Sequence, residues 1–120
     1  MGLTYVTVTV RIPGRDGPAY EALFLVDTRA TDSLAPTSAL EKIGIRSVGR
    51  TTYELADGTL QEYPFGLGQI EFMGEVTAGR IIFGSESAEP ILGATALESV
   101  GITVDPANRT LKRLPAIPLK

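Results

Sequence analysis

Hydrophobic and polar positions alternate along much of this chain with a period of two. Residues 3–12 have the sequence LTYVTVTVRI, and the turn-rich PGRDGP separates them from a second apolar segment at residues 20–26. A period of two puts alternate side chains on opposite faces of a strand, so these segments predict a first β-hairpin. The second segment ends in LFLV, and we expect that end to be buried on both faces.

Two short helices are predicted among the strands, at residues 37–44 and within residues 90–101. Each segment ends at a glycine, which is the residue best suited to terminate a helix. Near the start of each helix, a hydroxyl residue and a glutamate have the spacing of a capping box. These pairs are Ser38 with Glu41 and Thr95 with Glu98.

The two predicted helices also resemble each other in sequence. SALEKIGI at 38–45 and TALESVGI at 95–102 share the pattern [ST]-A-L-E-x-[IV]-G-I and lie 57 residues apart. One interpretation is an internal pseudo-twofold, with each half built from strands, a loop and a helix. The alternative is a coincidence between two capped helices.

The remaining segments predict further strands. Residues 51–63 form a hairpin with Asp57-Gly58 at its tip, a dipeptide that favours a type I′ turn. Two more strands are expected at 68–74 and 74–84, and short extended segments surround a turn at Asp105-Pro106. The chain therefore predicts one mainly β domain, residues 1–120, with two short helices.

Composition narrows the classes of function. The chain is 43% hydrophobic and 21% charged with a net charge of -3, which is typical of a globular protein. Its basic residues are scattered, which argues against nucleic acid, and no apolar run approaches the ~20 residues of a membrane helix. The N-terminus predicts a strand rather than a signal peptide. The absence of cysteine excludes thiol chemistry and disulfides and is compatible with a cytoplasmic location.

The absence of histidine restricts the chemistry further. It excludes Ser-His-Asp and Cys-His nucleophilic sites and the usual zinc sites. The chain therefore either works with carboxylates as acid and base or is not catalytic. A metal site from Asp27, Asp32 and Asp105 lacks the spacing of a calcium or magnesium loop, so we expect no metal and no cofactor.

Several segments together resemble the retropepsin-like aspartic peptidases of clan AA, in particular the small single-lobe bacterial and archaeal members. The matching residues are LFLVDT and ATDSLAP around position 29, LADG, PILG and TALESVGITVDP. The resemblance implies a closed, mostly antiparallel β barrel. It also implies a homodimer that acts on a peptide or an unfolded protein, with the terminal segments of the two subunits forming a shared sheet.

By this resemblance Asp27 is the catalytic carboxylate, and Thr28 stiffens the site by a bond across the dimer axis. Peptide hydrolysis of this kind needs two carboxylates that share one proton, so that one acts as base and the other as acid. The chain has one Asp-Thr loop, because Gly93 stands at the equivalent place in the second half. The second Asp27 is therefore expected from a twofold-related copy.

The resemblance also implies residues that contact substrate. The hairpin at 51–63 would be a flap that closes over the peptide, although it is also compatible with an ordinary surface hairpin. Asp32 either contacts substrate backbone or is a solvated loop carboxylate. The expected contact residues are Arg29, Ala30, Thr31, Asp32, Ala56, Asp57, Gly58 and Ile91.

Arg29 departs from the family pattern, in which glycine follows Asp-Thr. A side chain here intrudes where substrate passes, and a guanidinium close to Asp27 favours the ionised carboxylate over a shared proton. Alternatively, Arg29 turns outward and pairs with Asp32 or a glutamate of the flap. Two functions are compatible with the sequence: an aspartic endopeptidase, or a catalytically inactive homodimer that binds peptide with its active site blocked by Arg29.

Overall fold

The structure, a computed structural model, describes residues 3–119 of the chain. The strands are β1 Tyr5–Arg11, β2 Tyr20–Val26, β3 Ser33–Pro36, β4 Gly49–Glu54, β5 Leu60–Phe72, β6 Glu75–Gly84, β7 Ile91–Leu92, β8 Ile102–Asp105 and β9 Thr110–Arg113. The helices are α1 Thr37–Lys42 and α2 Ala94–Ser99. The predicted mainly β class with two short helices is confirmed.

Seven strands form one sheet in the order β1-β2-β7-β3-β6-β5-β4. β1 pairs with β5 as well as with β2, so these pairings link six strands in a ring and β4 extends from β5. The pairs β2–β7 and β3–β6 are parallel, whereas the other pairs in this sheet are antiparallel. The sheet is therefore mostly antiparallel, and each of its two parallel pairs joins strands that are far apart in the chain, as a parallel pair requires. β8 and β9 form a separate two-stranded sheet.

The core follows the alternation seen in the sequence. Val8 and Val10 of β1 are fully buried, and the residues between and before them are more accessible. Fully buried side chains from five other elements join them: Phe24, Leu40, Ile70, Ile81 and Leu92. The expectation that LFLV is buried on both faces is wrong at Leu23, which is 62% exposed because it points to the face opposite Phe24.

The β4–β5 hairpin is confirmed, but its turn is not type I′. Gly58 has a φ of 85°, whereas Asp57 does not have a positive φ, which a type I′ turn requires at both central residues. The Gly58 amide donates to the Leu55 carbonyl at 2.9 Å, and the Leu55 amide donates to the Thr59 carbonyl at 2.8 Å. The hairpin therefore closes with a three-residue loop in which the glycine takes the left-handed position.

A turn with positive φ at both central residues lies instead between β5 and β6. Met73 and Gly74 have φ values of 53° and 76°. Phe72 pairs directly with Glu75, so these two residues form the whole loop. This is the geometry that matches the right-handed twist of the two long strands.

Both helices end as predicted, but neither begins with a capping box. Gly44 and Gly101 have φ values of 90° and 70°, the left-handed conformation of a helix stop. Ser38 and Thr95 lie within the helices rather than before them, and neither helix has a side-chain cap hydrogen bond, so both predicted capping boxes are wrong. In α1 the Ser38 amide donates to the Glu86 carboxylate at 2.9 Å, which shows that the partner comes from a distant loop.

The repeated sequence pattern corresponds to two similar local units. In each unit a short strand, β3 or β7, leads into a six-residue helix that ends at a glycine with positive φ. The antiparallel pair β3–β7 brings the two units side by side. The pseudo-twofold relation between the halves stays a prediction.

Candidate active site

The site is built around the Asp27 loop, residues 27–32, which follows β2 directly. β2 ends beside β7, and the Asp27 amide donates to the Leu92 carbonyl at 3.1 Å. Within the loop, the Ala30 amide donates to the Asp27 carbonyl at 3.1 Å, and the Arg29 amide donates to Asp27 Oδ1 at 3.0 Å. Backbone bonds therefore fix both the start of the loop and one oxygen of the Asp27 carboxylate.

The first residues of α2 hold the other side of the Asp27 loop. The Ala94 amide donates to the Ala30 carbonyl at 2.7 Å, and the Thr95 amide donates to the Thr31 carbonyl at 3.1 Å. Amides in the first turn of a helix have no partner within the helix, so here the loop supplies their acceptors. The helix and the loop thus satisfy each other's backbone groups.

Gly93 and Ser33 complete this junction. The Gly93 amide donates to the hydroxyl oxygen of Ser33 at 3.0 Å, and Ser33 is only 2% exposed. A Cβ atom at position 93 would lie 2.6 Å from the carbonyl oxygen of Asp32 and 2.9 Å from that of Thr31. Position 93 therefore needs glycine because of the close approach of the loop backbone, a reason that the sequence alone did not reveal.

Arg29 lies beside Asp27 but faces solvent. Its Nε atom is 3.5 Å from Asp27 Oδ1, and the Arg29 side chain is 89% exposed while that of Asp27 is 25% exposed. Of the two orientations considered from the sequence, the structure has the one in which Arg29 pairs with Asp27. Within residues 3–119, no carboxylate of Asp32 or of the β4–β5 hairpin forms an ion pair with Arg29.

Two open grooves flank the Asp27 loop. The first, called the Asp27 groove, has a volume of about 590 Å³ and separates the loop from the β4–β5 hairpin. Its lining residues are Asp27, Arg29, Ala30, Glu54, Leu55 and Ala56. The second, called the Thr28 groove, has a volume of about 440 Å³ and lies between Thr28, α2 and β8. Asp27 and Thr28, adjacent in sequence, thus face different grooves.

The other predicted contact residues are distributed around this centre. Ala56 lies opposite the loop, but Asp57 and Gly58 are at the exposed tip of the hairpin and do not line the Asp27 groove. The Thr59 hydroxyl and amide donate to Asp57, which holds the pKa of that carboxyl below its usual range. Ile91 is half-buried within the sheet, paired with neighbouring strands.

Asp32 forms a contact that the sequence did not predict. The Tyr53 hydroxyl, from β4, donates a 2.6 Å hydrogen bond to Asp32 Oδ2. Burial and this bond raise the pKa of Tyr53 to about 12. Asp32 therefore links the Asp27 loop to the hairpin. The sequence held one signal for this contact: the alternation in β4 places Thr51 and Tyr53 on one face of the strand.

Arg80 extends this contact along the base of the hairpin. Its Nη1 atom donates to the Thr51 hydroxyl at 2.7 Å. Its guanidinium also lies 4.1 Å from the ring centroid of Phe65, a distance at which a cation is attracted to an aromatic face. Arg80 thus joins β6 to both strands of the hairpin, and nothing in the local sequence indicated this role.

The described residues also bear on metal and membrane binding. Among residues 3–119, no group of three or more acidic side chains is arranged to hold a metal ion. Asp105, a member of the set considered from sequence, instead accepts a 3.0 Å hydrogen bond from the Ala107 amide in the β8–β9 turn. In the same part of the chain, no helix has the length and apolar character to cross a membrane.

Comparison with known proteins identifies a solved structure with a similar fold. No protein-family model matches this chain, and no curated protein matches it. Among solved structures, the chain is similar to the EIAV protease complexed with the inhibitor HBY-793, with a TM-score of 0.67 and 18% sequence identity. The match covers 87% of this chain and 93% of the viral protease. At this identity the likeness establishes the fold alone: the chain has a retropepsin-like fold, like that of a retroviral protease.

Proposed function

We propose that the chain is an aspartic-type endopeptidase that works as a homodimer. The observation that carries this proposal is the position of Asp27. Its carboxylate is partly exposed beside an open groove, on a loop that backbone hydrogen bonds from α2 and β7 hold in place. The retropepsin-like fold supports the same chemistry, and the ring of paired strands supports the closed barrel that the sequence predicted.

The proposed reaction uses one Asp27 from each subunit. Two carboxylates about 3 Å apart do not both ionise comfortably, so one keeps a proton and polarises the peptide carbonyl. The other accepts a proton from the attacking water. Gly93 stands where a second aspartate would be needed in a single-chain site, and its tight contact with the Asp32 backbone leaves no room for one. The second carboxylate is therefore assigned to a partner copy.

The remaining parts of the proposed site follow from this dimer. Thr28 is exposed and faces its own groove, which suits a contact across the dimer axis. The β4–β5 hairpin is proposed as the flap, because Glu54, Leu55 and Ala56 form the wall of the Asp27 groove opposite the loop. An extended peptide or an unfolded protein is the proposed substrate. The cytoplasmic location predicted from composition stays a prediction.

The endopeptidase proposal is tested with unfolded protein and peptide libraries incubated with the chain from pH 4 to 7. We expect cleavage that Asp27→Asn abolishes, because an amide can neither accept nor supply the shared proton. Sedimentation at tens of micromolar is expected to give a dimer. A monomer under these conditions, or cleavage that persists in the Asp27→Asn variant, contradicts the proposal.

A second candidate function rests on one specific distance. Arg29 Nε lies 3.5 Å from Asp27 Oδ1, and both residues line the Asp27 groove, so the arginine side chain stands beside the carboxylate where substrate would have to approach. If this contact persists in the dimer, the chain binds extended peptide without cleaving it. Arg29→Gly separates the two functions: cleavage that occurs only in this variant identifies Arg29 as the block and removes the endopeptidase function from the natural chain.

A further inference from the structure

The Arg29 guanidinium has hydrogen-bond donors that the described residues do not use. Its side chain is 89% exposed, and Asp27 is the one carboxylate within 4.0 Å of its guanidinium among residues 3–119. The contact is 3.5 Å long, more than a strong charge-assisted hydrogen bond of about 2.7–2.9 Å. In this part of the chain the guanidinium makes no hydrogen bond to another side chain. Its donors are therefore available to a ligand.

Arg29 lines the Asp27 groove. Of the residues that line it within the described chain, Arg29 is the one cation; the others are Asp27, Ala30, Glu54, Leu55 and Ala56. An extended ligand in this groove passes between the Asp27 loop and the hairpin. A planar guanidinium matches the geometry of a carboxylate and binds it through two parallel hydrogen bonds.

We propose that Arg29 makes the Asp27 groove selective for peptides with an acidic side chain close to the bond that faces Asp27. This inference rests on the proposed function and names its substrate class. Arg29 is two residues from Asp27, so their Cα atoms are at most about 7 Å apart. A bound strand advances about 3.3 Å per residue, so the acidic side chain belongs within about two positions of that bond.

The contact between Arg29 and Asp27 also affects how an acidic substrate binds. A substrate carboxylate competes with Asp27 for the guanidinium, and its binding draws the cation away from the catalytic carboxylate. Arg29 is then a specificity-determining residue of the proposed reaction.

The test uses the full chain and fluorescein-labelled extended peptides, with binding measured by anisotropy at pH 7 and low salt. One glutamate is moved stepwise along an otherwise neutral peptide, and each peptide is paired with its glutamine analogue. We expect the glutamate peptide to bind roughly tenfold more tightly at one or two adjacent positions, with the preference falling as salt is added. Arg29→Gln abolishes the preference. Arg15→Gln, which removes the same charge from an exposed turn before β2, retains it.

The outcomes separate this inference from the proposed function. Equal binding of glutamate and glutamine peptides, or a preference that persists in Arg29→Gln, overturns the role of Arg29 and leaves the endopeptidase proposal standing. Absence of binding by every peptide, together with absence of cleavage, overturns both. Because Arg29 is almost fully exposed, its replacement is not expected to unfold the chain, and circular dichroism of each variant checks this.

Discussion

The hydroxyl of Tyr53 donates a 2.6 Å hydrogen bond to Asp32 Oδ2 and so joins the β4–β5 hairpin to the Asp27 loop. The bond connects an element proposed to move with the element that carries the proposed catalytic carboxylate. Asp32 is partly buried, so its carboxylate has limited access to water. The position of the hairpin base relative to Asp27 therefore depends on this pair.

Replacing Tyr53 with phenylalanine removes the hydrogen bond and keeps the ring. We expect the free energy of unfolding to fall by about 1–2 kcal/mol, because a partly buried carboxylate loses its donor. Urea denaturation measures the change. Tyr63→Phe is the matched control: its ring lies 6.2 Å from that of Tyr53, and its hydroxyl makes no hydrogen bond to a described side chain. Equal losses in the two variants would contradict a specific role for the Tyr53–Asp32 bond.

The raised pKa of Tyr53 predicts a pH dependence of stability. Below pH 10, Tyr53 is protonated in both the folded and the unfolded chain and its contribution is fully present. Between pH 10 and about 12, the unfolded chain loses the proton first, so the free energy of unfolding falls as pH rises. Tyrosinate absorbance should show a late-titrating tyrosine that Tyr53→Phe lacks. An unchanged titration curve in that variant would rule out the assignment.

Replacing Gly93 with alanine is expected to have a large steric effect. Gly93→Ala puts a methyl group 2.6 Å from the Asp32 backbone, and we expect a loss of about 2–3 kcal/mol from the displaced loop. Gly79→Ala, in β6, is the control because a Cβ there meets nothing within 4 Å. It should change the free energy of unfolding by less than about 0.5 kcal/mol. Similar thermal unfolding of both variants would refute the packing argument.

Ser33 is expected to stabilise the fold because its hydroxyl oxygen accepts a hydrogen bond from the Gly93 amide. Ser33→Ala leaves the buried Gly93 amide without its acceptor, which should cost about 1–3 kcal/mol. Hydrogen exchange at the Gly93 amide should accelerate along with the loss of global stability. Ser87→Ala, in the exposed loop before β7, provides a control with no expected change. Exchange at Gly93 that matches that of the unsubstituted chain would count against the bond.

Much of the local structure was predictable because short-range physics determines it. Gly44 and Gly101 end their helices in the left-handed conformation, which glycine adopts without a steric penalty. Val8 and Val10 are buried because alternation places them on one face of β1. Strand β3 was missed, because SLAP is too short to show a period and pairs with β6 from a distant part of the chain.

Long-range partners account for the capping predictions that were wrong. Ser38 has the sequence of a capping residue, yet the acceptor for its amide is Glu86 from another loop. The amides of Ala94 and Thr95 donate to the Asp27 loop rather than to a local side chain. In each case a partner that local spacing does not encode satisfies the backbone group.

The sequence by itself determined the class of fold, the location of the Asp-Thr loop and the strand that leads into it. Alternation, glycine stops and apolar segments act over a few residues, so they are visible without a structure. Only the tertiary structure decided that Tyr53 holds Asp32, that Gly93 must lack a side chain, and that the exposed Arg29 pairs with Asp27. The first two relations depend on contacts of the Asp27 loop with β4 and with Gly93, which bring together residues that the chain separates.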